Sequence, residues 1–130
     1  MDLPFAGRSI LVVEDEPLIA LELQLALEDM GATVHKAAAL PAALALAERT
    51  TFSAAIVDFQ LGGERCEDLC AELTQRGVPF MFYTGGTKHG LANSAAPVVT
   101  KPASMGEVIA VLAPLVAGKV GKRATLRLFS

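Results

Sequence analysis

Tryptophan is absent, tyrosine occurs once, and the chain holds only two histidines and two cysteines. Neither histidine lies near the cysteines in sequence, so a zinc-type cluster is not expected. Cys66 and Cys70 stand four apart on an expected helix, a spacing that does not normally present the Cα geometry of a disulfide. They read as buried reduced thiols acting as small apolar side chains. No apolar stretch reaches the eighteen or more residues of a membrane span. The amino end, Met1-Asp2-Leu3-Pro4-Phe5, lacks the basic region and long apolar segment of a signal peptide. A cytoplasmic protein without membrane association is the expectation. Low-complexity tracts are also missing, and 52 % of the residues are apolar, which argues against disorder. A chain of 130 residues suits one domain with its own core.

Basic charge is scarce over most of the length. Lys119, Lys122, Arg123 and Arg127 are four of the eleven basic residues, and no acidic residue follows Glu107. Residues 1–118 therefore carry seven basic against fourteen acidic groups, a balance of −7. Such a body is not expected to bind nucleic acid. The reading is a domain over 1–118 followed by a short basic tail, 119–130, solvated and frayed.

What is present is an alternation of strand and helix signals. Apolar, β-branched runs at Ser9–Glu14, Ala32–Ala37, Ser53–Asp58, Val78–Thr84 and Pro97–Thr100 predict five strands. Helices are expected from Pro17 to Met30, Pro41 to Arg49, Glu64 to Arg76 and Ala103 to Ala117. Gly31 and Gly77 end two of them, Gly62-Gly63 breaks the chain, and Pro114 should kink the last or end it early. Between Thr84 and Pro97, Gly85, Gly86, Gly90, Asn93 and Ser94 disfavour helix, so a fourth helix there should be short and the stretch mobile. Alternating strands and helices imply an α/β fold with a parallel sheet and right-handed crossovers. The flavodoxin-like doubly wound order 2-1-3-4-5 is the leading topology.

Four of these runs deliver chemistry to strand ends: Glu14-Asp15 after the first, Asp58 after the third, Thr84 after the fourth, Lys101-Pro102 after the fifth. Ligands of open parallel sheets bind beyond the carboxyl ends of the strands. The loop after the first strand, Glu14-Asp15-Glu16, repels phosphate unless a cation intervenes. Mg²⁺ takes oxygen ligands, usually one or two carboxylates with several waters. Asp15 and Asp58 are the natural carboxylates, with Glu14 direct or through water and a backbone carbonyl near Gln60 as a further oxygen. Shielded in this way, Asp58 can attack phosphorus as a carboxylate nucleophile. Lys101 supplies an ammonium for the equatorial oxygens, and the Thr84 hydroxyl can bond one of them. Pro102 biases Lys101 toward extended backbone, and the bond between them is of the type that admits a cis form. A lone acid after a strand is ordinarily a helix cap, as Asp15 or Glu16 beside Pro17 would be. The ordered conjunction at four strand ends is what favours chemistry over that reading.

At Val13-Glu14-Asp15-Glu16-Pro17, Ile56-Val57-Asp58, Tyr83-Thr84-Gly85 and Thr100-Lys101-Pro102 the chain resembles the receiver domain of two-component response regulators, over roughly residues 8–118. The resemblance implies that Asp58 accepts phosphoryl from a histidine kinase or phosphotransfer protein. It assigns Glu14 and Asp15 to Mg²⁺, Thr84 to the switch hydroxyl and Lys101 to the phosphoryl group. It also implies slow self-catalysed dephosphorylation rather than conventional enzyme activity. Receivers commonly carry an aromatic switch residue two positions before the lysine; here Val99 stands there. Phe82-Tyr83-Thr84-Gly85-Gly86 and Asp58-Phe59-Gln60-Leu61-Gly62-Gly63 are similar to the FATGUY subgroup, which is typically single-domain and lacks that aromatic. In such a chain signalling should come from ordering of segment 85–96, with Thr84, Gly85 and Gly86 as its start.

The first and last helices are apolar on more than one side, which suggests a partner or homodimer surface through Leu23, Leu27, Val111 and Leu115. An aspartyl phosphohydrolase of the haloacid-dehalogenase type is disfavoured, because Gln60 stands where its general acid would be. A phosphorylation-independent docking module is the other alternative, against which Asp58, Thr84 and Lys101 all speak. Met1 and the brief tail suggest a chain without an output domain, working by changing who binds it.

Overall fold

The structure is a computed structural model that describes residues 3–61, 64–85 and 96–118. Its first strand, β1 (Ser9–Val13), is buried from Ile10 onward, as a continuous apolar run between two layers must be. Helix α1 (Pro17–Asp29) follows, then β2 (Thr33–Ala37), α2 (Leu40–Arg49) and β3 (Ala54–Val57). After two short strands, β4 (Gln60–Leu61) and β5 (Glu64–Arg65), come α3 (Glu67–Gln75), β6 (Phe80–Thr84), β7 (Val98–Thr100) and α4 (Met105–Val116). The five long strands form one parallel sheet, ordered β2-β1-β3-β6-β7. In chain order this is 2-1-3-4-5, the doubly wound topology expected from the alternation.

Strand periodicity divides the core between the two faces. Leu11, Val13, Ala55, Val57 and Phe82 point into a layer closed by Ala43, Ala47, Leu69 and Leu73 of α2 and α3. Ile10, Val12, Ala54, Ile56, Met81 and Tyr83 point into the other, closed by Leu23, Leu27, Val108, Leu112, Leu115 and Val116 of α1 and α4. Phe5 completes this second layer with no exposed surface, and its N–H donates to the Met30 carbonyl at 2.9 Å. Burying such a side chain contributes about 1.5–3 kcal/mol. The chain passes close to the end of α1 here. Gly31 has φ of 99°, and a Cβ on it would stand 2.9 Å from the Ala6 nitrogen, so glycine is required on both counts.

Several local expectations are corrected. Glu64 opens no helix; Gln60–Leu61 and Glu64–Arg65 pair antiparallel, and α3 begins at Glu67, with Cys66 at its N-cap. Pro114 does not end α4 early. The helix runs to Val116 because one lost N–H bond near its end is offset by the packing of Leu112, Leu115 and Val116, and Ala117 N–H still bonds the Ala113 carbonyl. The start of α4 is set by Ser104, whose Oγ accepts from Glu107 N–H at 3.1 Å while Glu107 Oε1 accepts from Ser104 N–H at 3.3 Å. Ser-x-x-Glu is the signature of such a capping box, and it moves the helix start from the expected Ala103 to Met105. Cys66 and Cys70 are both free, with Sγ atoms 3.8 Å apart. The Gly62-Gly63 break, Gly86, the expected short fourth helix within 85–96 and the tail 119–130 lie outside the described residues, apart from Gly85 and Ala96.

The interface expectation is also corrected. Leu23 and Leu27 are 1 % exposed and Leu115 is buried, all three in the core, and Val111 is half-buried against it. The leucines of α1 that face outward are Leu18, Leu21 and Leu25. Both stripes are apolar, and the one turned inward carries Ala20, Leu23 and Leu27.

Candidate functional site

Parallel pairing brings the ends of β1, β3, β6 and β7 to one edge. Val13 stands opposite Val57, Val57 opposite Phe82, and Thr84 opposite Thr100. Backbone bonds carry the register past the strands: Asp58 N–H donates to the Val13 carbonyl at 3.0 Å, and Lys101 N–H to the Thr84 carbonyl at 2.9 Å. Residues far apart in sequence are thereby fixed within side-chain reach.

Asp58 is buried and fully engaged. Its Oδ1 accepts from the Thr84 hydroxyl at 2.8 Å and from Gln60 N–H at 3.2 Å, while Oδ2 accepts from the Lys101 ammonium at 3.0 Å. The Thr84 proton has a second acceptor, the Gly85 carbonyl at 3.3 Å, and the shorter bond to Asp58 is favoured. Lys101 Nζ also meets Glu14 at 2.8 Å and Glu16 at 3.3 Å, so one ammonium bridges three carboxylates. Burial lowers the lysine's affinity for its proton, but the bonds to Glu14 and Asp58 outweigh this and hold its pKa above the ordinary lysine value. Burial pushes the Glu14 carboxyl up, against the hydrogen bond from Lys101 that stabilises its anion.

The residues predicted for phosphoryl transfer and metal binding that lie within the described range all reach this edge, whereas Leu23, Leu27, Val111 and Leu115 do not. Glu14, Asp15, Asp58, Gln60, Thr84, Gly85 and Lys101 form one acidic cluster, and the Lys101-Pro102 bond is cis. Glu14, Asp15, Glu16 and Asp58 bring carboxylate oxygens within 4.8 Å of one another. A single ammonium does not balance four carboxylates, and hard anionic oxygens at this density fit a Mg²⁺ ion. Glu16 is the member that sequence reasoning passed over as a helix cap. It occupies the N-cap of α1 without a side-chain cap bond, and its N–H instead donates to Glu14 Oε2 at 3.2 Å.

Tyr83 is the second residue missed. It is 3 % exposed, its hydroxyl donates to the Ala103 carbonyl at 3.3 Å and accepts from Ala103 N–H at 3.4 Å. Lys101 Nζ lies 5.7 Å from the centre of its ring. The tyrosine thus ties the segment after Lys101 to β6. The one signal for it was the chain's lone tyrosine next to Thr84 in an otherwise apolar strand. Val99 is partly buried against the same layer as Tyr83.

This geometry accords with what the chain is similar to. The family model for the response regulator receiver domain matches residues 10–113. Sensory transduction protein RegX3 of Mycobacterium tuberculosis is 34 % identical over 108 residues, 78 % of this chain and 48 % of RegX3. Transcriptional regulatory protein TcrA of the same organism is 33 % identical over 117 residues, 85 % of this chain and 46 % of TcrA. The chain spans about half the length of these curated relatives. Among solved structures, SdrG from Sphingomonas melonis Fr1 superposes with a TM-score of 0.73 at 38 % identity, covering 84 % of this chain and 96 % of SdrG. A match that runs from the first strand into the last helix, upheld by curated relatives above 30 % identity, leaves one conclusion: the chain belongs to the response regulator receiver domains of two-component signalling.

Proposed function

We propose that Asp58 is the phosphoryl acceptor in a Mg²⁺-dependent transfer from a histidine kinase or phosphotransfer protein. The observation that carries this reading is the Asp58 carboxylate at the end of β3, gripped by the Thr84 hydroxyl and the Lys101 ammonium. An Asp58 oxygen attacks the phosphorus of a phosphohistidine. The O–P bond forms as the P–N bond breaks, and the bonding pair stays on the ring nitrogen. The ring carries a proton taken from water on its other nitrogen and so leaves as neutral imidazole. Lys101 turns from the carboxylates to the phosphoryl oxygens, and the Thr84 hydroxyl moves its hydrogen bond from Asp58 to one of them.

Glu14, Asp15 and Asp58, with the Gln60 carbonyl, are the proposed ligands of Mg²⁺, which when bound would neutralise carboxylate and phosphoryl charge. The acyl phosphate is then lost slowly to water, so the chain is a signalling acceptor and not a conventional enzyme. We read residues 1–118 as the receiver unit, cytoplasmic and acting through protein–protein contact. The FATGUY assignment rests on Phe82-Tyr83-Thr84-Gly85 and on Val99 in place of an aromatic residue.

Intact mass after incubation with acetyl phosphate tests the reading. A gain of one phosphoryl group is expected with Mg²⁺, none with EDTA, and none in Asp58→Asn under either condition. Phosphorylation that persists in Asp58→Asn would overturn the assignment.

A further inference from the structure

Helix α1 carries more leucine than the core uses. Ala20, Leu23 and Leu27 face inward, while Leu18, Leu21 and Leu25 stand at 81 %, 43 % and 58 % exposure. At positions i, i+3 and i+7 these three form one outer stripe, and with Ile19 and Glu22 they line a shallow depression. The same helical arithmetic puts Glu22 and Asp29 on one flank of the stripe and Glu28 on the other. No residue of α1 is basic. The surface is an apolar strip with an acidic border, the kind of patch that marks an interaction site.

We propose that the stripe is covered by residues 119–130 of the same chain. That segment holds Lys119, Lys122, Arg123 and Arg127 with no acidic residue, and interleaves them with Val120, Leu126, Leu128 and Phe129. Its charge complements the border and its apolar side chains complement the strip. It also starts in the right place. α4 lies beside α1 on one face of the sheet, with Leu115 and Val116 in the same core layer as Leu23 and Leu27. The chain leaves α4 at Gly118, whose N–H closes the helix on the Leu115 carbonyl. Twelve residues can span up to about 40 Å, and α1 is about 20 Å long, so the segment reaches the whole stripe. Tethering supplies an effective concentration on the order of millimolar, enough for a contact too weak to form between separate molecules. That tether is what favours this occupant over a second copy or a separate basic peptide.

Methyl-resolved NMR on the full chain decides the matter. Nuclear Overhauser contacts are expected from the Phe129 ring to the Leu21 and Leu25 methyl groups, with intensities unchanged on dilution. They should vanish in a Lys122→Glu, Arg123→Glu, Arg127→Glu variant, with the Leu18, Leu21 and Leu25 methyl shifts moving while those of Leu23 and Leu27 stay, which shows the fold intact. A Leu21→Ser, Leu25→Ser variant should free the Phe129 ring in the same way. Contacts that fade on dilution would assign the tail to a second copy and overturn the proposal. Equally, methyl shifts identical in wild type and charge-reversed variant, with no Phe129 contact, would overturn it.

Discussion

Lys101→Met isolates how the resting site holds its carboxylates. The ammonium pairs with Glu14 and Asp58, whose side chains are 2 % and 8 % exposed, and with Glu16, which is 61 % exposed. The Glu16 arm is screened by water and adds little. The other two are different, since removing one partner of a buried pair strands a charge at about 3–5 kcal/mol. With a urea m-value of about 1–3 kcal/mol/M, the unfolding midpoint should fall by roughly 2 M. The assay is equilibrium urea unfolding of both proteins in EDTA, so that no divalent ion takes over the lysine's role.

A double-mutant cycle then separates stranded charge from lost packing. Replacing a whole buried pair by neutral groups is often neutral or stabilising, because the desolvation of both charges is relieved. In a Glu14→Gln background Lys101→Met should therefore cost less, with a coupling of about 1–3 kcal/mol and the residue of the penalty coming from Asp58. Mg²⁺ should recover more stability in Lys101→Met than in wild type, since a more negative site binds the ion more tightly and binding stabilises the native state by mass action. A Lys101→Met protein that unfolds at the wild-type midpoint in EDTA, or a cycle with no coupling, would refute the account of the ammonium as the clamp of this site.

Tyr83→Phe should cost about 1 kcal/mol through the two bonds to Ala103 and should also slow acetyl-phosphate labelling, because the segment that carries Lys101 is no longer tied to β6; labelling at the wild-type rate would reject that positioning role. Phe5→Ala should lower stability by about 3–5 kcal/mol in thermal unfolding, since Phe5 is fully enclosed between the end of α1 and the sheet. Leu23→Glu should abolish cooperative folding by circular dichroism, whereas Leu21→Glu should stay within about 0.5 kcal/mol of wild type, the reverse of what an interface at Leu23 and Leu27 predicts.

The contrast between the two leucines shows where sequence reasoning carries and where it stops. Strands β1, β3 and β6 were legible because a strand buried on both faces must be apolar at every position, and the residue that ends the run is then placed at the sheet edge without further information. Glu14, Asp58 and Thr84 came out together for that reason, whereas Lys101, after the partly exposed β7, was marked by the Lys-Pro pair that follows a short β-branched run. A helix offers no such guarantee. Its inward face is chosen by what it packs on, and α1 presents two apolar stripes, so its phase depended on Ala20, on Phe5 at its far end and on α4 alongside, none of which a one-dimensional pattern ranks. The antiparallel pair of β4 and β5 escaped because two-residue strands have no period to detect. Glu16 and Tyr83 escaped for another reason. Their roles depend on side-chain direction across elements, an ammonium reaching back from the end of β7 and a hydroxyl reaching across to Ala103, and such contacts follow from strand register, which only the assembled sheet defines. The position of a group along the chain was therefore recoverable, and its rotation about the element that carries it was not. It is the rotation of α1 that leaves Leu18, Leu21 and Leu25 without a described partner and makes the outer face of that helix worth testing.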